Sequence, residues 1–156
     1  MKRLTLPLLI LLLVLAAAST IFGACGSGTN PDDKALFDKV TAMWTDKDAA
    51  AAKEIFTADA NLYWNWSAEP GNTPEMQTGI DEISALVASG QMGHPTLAGD
   101  DVLTYEPSAK DMENLPATYD GARYIAGPVY EARGLYLIVL EVRDGKVQNH
   151  FVEALY

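Results

Sequence analysis

The chain has 156 residues, 49% of them apolar, a length and composition that suit one globular domain. Lys and Arg number 11 against 21 Asp and Glu, for a formal net charge of −10. No basic patch is visible, which excludes binding to nucleic acid by phosphate neutralisation and charge-driven attachment to anionic lipid.

Met1-Lys2-Arg3 is a short positive region, and Leu6 to Ala18 is almost wholly Leu, Ile, Val and Ala. Small residues follow. This is the layout of a secretory signal, too short and wrongly flanked for a permanent span. The run leads into Phe22-Gly23-Ala24-Cys25, and Cys25 is the single cysteine. The segment resembles a bacterial lipobox, although Phe22 stands where that signal usually carries Leu or Val. The resemblance implies cleavage before Cys25 and acylation of its sulfur and new amino group. The alternative is ordinary cleavage after Ala18, leaving a free thiol. A lone exported cysteine has no disulfide partner, which favours lipidation. Three segments are expected: a lipoprotein signal peptide at 1–24, a flexible tether at 25–33 and one domain at 34–156. The mature chain would keep 9 basic and 21 acidic residues. Its membrane attachment would come from acyl chains rather than protein charge. The expected location is the cell envelope, outside the cytoplasm, with the host deciding whether that is periplasmic or the outer cell surface.

Asp32 or Asp33 can cap a first helix, in which Leu36, Phe37, Val40, Met43 and Trp44 form one apolar face. A second, alanine-rich helix runs from about Asp48 to Phe56, burying Ala52, Ile55 and Phe56. From about Ala60 to Ser67 the period becomes two: Leu62, Trp64 and Trp66 face one way, Asn61, Tyr63 and Asn65 the other. After a polar loop, Thr78 caps a third helix with Ile80, Ile83 and Val87 on its face and Gly90 at its end. A strand is expected from Asp101 to Glu106. Two more follow, at Arg123 to Ala126 and Val129 to Ala132, separated by Gly127-Pro128.

Leu135 to Arg143 and Lys146 to Tyr156 flank Asp144-Gly145, a strong two-residue hairpin signal. An unbroken ladder would set Arg143 opposite Lys146, Glu141 opposite Gln148, Val139 opposite His150 and Leu137 opposite Val152, all on one face. Tyr136, Ile138, Leu140, Val142, Val147, Phe151 and Leu155 would share the other. Both faces are largely apolar, so both need cover: helices on one side and a second subunit, as a homodimer, on the other.

Three stretches, "VTAMWTDKDAAAAKEIFTADANLYW", "TGIDEISALV" and "LEVRDGKVQNHF", resemble the nuclear transport factor 2-like superfamily, and its SnoaL-like branch in particular. The resemblance covers most of residues 34–156 and is weakest over 91–118. It implies an α+β fold, in which a strongly curved antiparallel sheet forms a cone closed by three N-terminal helices. Steroid isomerases of that superfamily keep a tyrosine and two carboxylic acids at positions that fall here on Val40, Trp64 and Leu137. None of these transfers a proton, so that mechanism is excluded. The same alignment turns His150 toward the cone.

Trp64 and Trp66, with Leu62, Met43, Val139 and Tyr105, are the candidate ligand-binding residues. Rigid indoles suit a small apolar or aromatic ligand. The alternative is that they fill the cone as core. His150 is the candidate acid or base, with Glu141 to orient it. A satisfied core histidine is the plainer alternative. His94, in a loop, reads as solvated. The spacing of the two histidines and the acids does not match a metal site, and no cofactor motif is visible. Three functions follow: a noncatalytic small-molecule-binding module, a SnoaL-like isomerase, cyclase or hydrolase using His150, or a structural or protein-interaction module.

Overall fold

The structure is a computed structural model that describes residues 30–64, 75–99, 102–106 and 121–155, apart from the Tyr105 side chain. The expected signal segment, Cys25, the expected tether before Asn30, and Asn65, Trp66 and Ser67 lie outside the described residues.

Helix α1, Pro31–Asp46, begins one residue after its cap, Asn30, whose side chain accepts from the Asp32 amide at 3.0 Å. Asn30 therefore caps the helix in place of the expected Asp32 or Asp33. Pro31 fits the first turn because its missing N–H has no helical partner there. Phe37, Val40, Met43 and Trp44 are all buried, as the spacing predicts, with Leu36 half-buried at the margin. Lys47 ends the helix in the left-handed conformation. Asp48 then caps α2, Ala49–Ile55, by accepting from the amides of Ala50 and Ala51, each at 3.0 Å. Helix α3, Ile80–Ser89, starts at Gly79 without a side-chain cap. Thr78 donates its amide to Glu82 at 2.9 Å instead. Glu82 thus reaches past Gly79 to the residue before the cap, while the Gly79 amide donates to the Ala60 carbonyl.

Among the described residues, seven strands form one sheet. They are β1 (Phe56–Trp64), β2 (Glu75–Thr78), β3 (Thr96–Leu97), β4 (Leu103–Tyr105), β5 (Arg123–Glu131), β6 (Gly134–Arg143) and β7 (Lys146–Ala154). Their order is β2-β1-β7-β6-β5-β3, with β4 also on β5, and every pair is antiparallel except β1 with β7. The sheet curls without closing. The three helices pack into its inner face, where Ile83, Val87, Ile125, Val129, Ile138, Leu140, Val147 and Val152 join the buried residues of α1.

Gly127-Pro128 does not divide β5, contrary to the expectation of two short strands. The Pro128 carbonyl accepts from Ala98 at 2.8 Å. Its missing N–H therefore points to the same edge, between the stretches covered by β3 and β4, where no ladder bond is lost. Gly127 serves a close approach. A Cβ there would lie 2.7 Å from Phe37 Cζ and 3.1 Å from Leu97 Cδ1.

The start of α1 is fastened to the sheet by Asp33, which is fully buried. Thr104 Oγ1 donates to Asp33 Oδ2 at 2.8 Å, and Arg123 Nη2 stands 2.9 Å from Oδ1. Losing one partner of such a pair strands the other charge.

Replacing Gly127→Ala should lower stability by about 1–3 kcal/mol through overpacking against Phe37. Chemical unfolding of Gly127→Ala, Phe37→Leu and the double variant checks this. The double variant should recover part of the loss, because the shorter side chain vacates the space the new methyl needs.

Candidate functional site

The β6–β7 turn is as expected. Asp144 and Gly145 both have positive φ, at 49° and 77°, and the pairs Arg143–Lys146 and Val142–Val147 follow. The register then shifts by one. Glu141 pairs with Asn149, Leu140 with His150, Val139 with Phe151 and Ile138 with Val152. Gln148 is the extra residue of a β-bulge. Its side chain is held by β1, accepting from Thr57 Oγ1 at 3.0 Å and donating to the Asp59 carbonyl at 3.4 Å. The β1–β7 pairing is irregular at the same place, between Phe56 and Asn61.

That single insertion reassigns the candidate residues. His150 is fully buried on the inner face, opposite Leu140 and Leu62. Phe56 stacks on it with ring centroids 5.9 Å apart, and Trp44 leans over it at 6.0 Å. Neither imidazole nitrogen has a hydrogen-bond partner among the described residues, nor does Trp44 Nε1. Burial alone pushes the imidazole down from 6.5 to about 3, because an apolar box cannot solvate the cation. His150 is therefore neutral at any physiological pH.

Glu141 is on the opposite face, which corrects its assignment as the orienter of His150. Its Oε1 accepts from Arg143 Nε and its Oε2 from Asn149 Nδ2, both at 2.9 Å. Asn149 Oδ1 accepts from Asn61 at 3.1 Å, and Asn61 accepts from Thr78 at 3.2 Å. This chain of polar contacts crosses β6, β7, β1 and β2. Tyr63 stacks on Phe151 at 4.8 Å nearby. Its hydroxyl is pushed above its ordinary range, first by burial and then by the Glu141 charge.

Val139 lies in the same outer cluster, with Ala122, Tyr124, Ala126 and Phe151, so it does not line the cone. The unbroken ladder had set it beside His150. Leu137 packs against that outer cluster too. The inward residues of β6 are Ile138, Leu140 and Val142, so no carboxylic acid faces the cone from this strand, whereas the unbroken ladder had put Glu141 on the face of His150. Val40, Met43 and Leu62 do face inward and are buried, as does Trp64, which is 8% exposed. Tyr105 occupies the β4 position opposite Tyr124. Trp66 and Cys25 lie outside the described residues. His94 is exposed. The buried centre of the outer face also alters the argument for a second subunit. Val139, Phe151 and Tyr124 are each no more than 5% exposed within one chain, so they need no further cover.

The inner face is filled around His150. Trp44 and Trp64 meet at 6.3 Å with planes tilted by 54°. Toward the β5–β6 turn a small cleft of about 10 Å³ remains, lined by Trp64, Met92, Val129, Tyr136, Glu131 and Arg133 among others. That is room for roughly one water. Sequence reasoning missed the roles of Trp44 and Phe56 as the walls of the histidine box, although both were identified as core. It also missed Glu131, Arg133 and Met92, which carry no periodic signal because they sit in or beside turns. Among the described residues, no three His, Cys, Asp or Glu side chains come together as a metal site.

No family model matches the chain, and no curated protein matches it. Solved structures do. Bal32a, from a soil-derived mobile gene cassette, is similar with a TM-score of 0.51 and 16% identity, over 78% of this chain and 88% of that one. A candidate calcium/calmodulin-dependent protein kinase II association domain from Xanthomonas campestris gives 0.50 at 17% identity, over 85% and 93%. A nuclear transport factor 2-like protein of unknown function from Burkholderia xenovorans LB400 gives 0.45 at 16%, over 80% and 85%. The likeness to Bal32a and to the Xanthomonas campestris domain is one of fold, three helices against a curled, unclosed α+β sheet. At such identities the likeness extends to fold and not to chemistry.

Stability should depend on pH through His150. The unfolded chain binds a proton below about pH 6.5 and the folded chain only below about 3, so stability is full above 6.5 and falls as pH drops between these values. The expected slope is about 1.4 kcal/mol per pH unit. Urea unfolding at pH 6.5 and 4.5 should therefore show a larger loss for wild type than for His150→Leu, by roughly 2–3 kcal/mol.

Proposed function

We propose that the mature protein is a noncatalytic small-molecule-binding domain, tethered outside the cytoplasm by an acylated Cys25. The observation that carries the noncatalytic reading is the state of His150: fully buried, neutral, and on the opposite face from Glu141. An acid–base catalyst must reach its substrate's proton, directly or through one water, in the correct protonation state. His150 is fully buried, out of reach of a substrate, and an imidazole pushed down to about 3 is a weak base and carries no proton to donate at neutral pH.

Binding is proposed at the cleft where the inner face meets the surface. Trp64 and Tyr136 supply flat apolar area, and Glu131 and Arg133 supply polar contacts at its rim. As it stands the cleft is too small for a ligand. Met92 lines it, in a turn between Gly90 and Gly93, both of which have positive φ. An unbranched thioether in such a turn is well suited to move aside. The rigid indole of Trp64 supports a small apolar or aromatic ligand.

No helix among the described residues is long and apolar enough to cross a membrane. The proposed attachment rests on the lipobox-like Phe22-Gly23-Ala24-Cys25. A protein-interaction role, including a homodimer, is favoured by a different observation. Tyr130 is 59% exposed and Leu155 is 38% exposed, beside half-buried Leu135 and Leu137 on the outer face. Sedimentation of a chain starting at Asp32 would give a monomer if that strip is unoccupied.

Cys25→Ser should move the protein from the membrane fraction to the soluble fraction, read by immunoblot after ultracentrifugation; an unchanged pellet would remove the lipid anchor from the proposal. Native mass spectrometry of protein from its own host should show a bound small molecule. Trp64→Phe should weaken its binding about 5- to 10-fold, on the order of 1 kcal/mol. Absence of any bound molecule, with no ligand-dependent change in Trp fluorescence, would count against the binding role.

A further inference from the structure

The helical side of the molecule carries a larger opening. It lies between α1 and α2, reaches the β6–β7 turn at Gly145, and has a volume of about 460 Å³. Sites for small organic ligands span roughly 300–1,000 Å³. None of its lining residues belongs to the Trp64 cleft.

The floor is apolar, made by Leu36, Ala42 and Met43 from α1 and by Ala51 and Ile55 from α2. Leu36 and Met43 stand seven apart on α1, and Ala51 and Ile55 four apart on α2, which brings each pair to one face of its helix. Gly145 leaves its end open, with no atom within 4 Å of where a Cβ would stand. The rim is charged, with Asp46, Asp48 and Glu54 against one cation, Lys39. Asp48 is committed to capping α2. Asp46 and Glu54 take part in none of the ion pairs formed among the described residues. Three carboxylates and one ammonium leave an excess of negative charge over an apolar floor, in a chain whose formal charge is −10. Clefts of one sign concentrate ligands of the other.

We infer that this cleft binds a small organic cation, an aryl- or alkylammonium. Its apolar body lies on Leu36, Met43 and Ile55, and its nitrogen is directed to Asp46 and Glu54. Charge excludes the corresponding carboxylate, and the apolar floor distinguishes the ligand from a simple metal cation. The inference is independent of the Trp64 cleft.

The test uses the mature protein with isotope-labelled Met, Ala and Ile methyls, titrated separately with 2-phenylethylammonium, 2-phenylethanol and 3-phenylpropionate. The amine should bind in the submillimolar range, with the largest shifts at Met43, Ala51 and Ile55. The alcohol should bind about tenfold more weakly and the carboxylate not at all. Asp46→Asn and Glu54→Gln, both at exposed positions, should each weaken the amine about threefold, and raised salt should weaken it further. Trp64→Phe should leave amine binding unchanged, which separates this site from the proposed function. Equal affinity for amine and alcohol, shifts centred on the Trp64 cleft, or no shifts at 10 mM amine would each overturn the inference.

Discussion

The position of every candidate side chain on the last two strands depends on one extra residue, Gln148. A ladder with period two assigns faces by parity, so one inserted residue turns everything on one side of it over. Here the insertion is held in place from β1, through Thr57 and the Asp59 carbonyl. The irregular stretch of β1 and the bulge of β7 are thus one joint feature. It sends His150 inward to Phe56 and Trp44, and leaves Glu141 outside among Arg143 and Asn149.

The two faces then acquire different chemistry. The inner face is aromatic and aliphatic, and its polar atoms at His150 and Trp44 have no partners among the described residues. The outer face carries a satisfied polar chain from Arg143 to Thr78, beside a smaller apolar cluster. A buried imidazole with no hydrogen-bond partner is stable as the neutral ring. The pairing that would make His150 and Glu141 an acid–base couple is absent.

Much of this was legible in the sequence. The α1 face, the alternation of Leu62 and Trp64 against Asn61 and Tyr63, and the Asp144-Gly145 turn all carry local signals, and all appear as read. The bulge does not announce itself, because Gln148 is an ordinary strand residue whose anchors lie about 90 positions earlier. Gly127-Pro128 reads as a break by the usual turn chemistry. Only the approach of Phe37 and the edge position of the Pro128 nitrogen explain why the strand runs through it. Tertiary contacts between distant segments decided both points, and local propensity does not report on them.

Among the described residues, Val40 and Trp64 face the cone without an ionisable group, and β6 offers Ile138, Leu140 and Val142. The inner face is packed around His150, with clefts where it meets solvent. The most direct test of that account is an NMR titration of the His150 ring between pH 4.5 and 8. The account predicts one neutral tautomer, with ring shifts constant across the range and slow solvent exchange. A midpoint near pH 6–7 that moves in Glu141→Gln would contradict it, since that result requires a solvated imidazole coupled to the carboxylate.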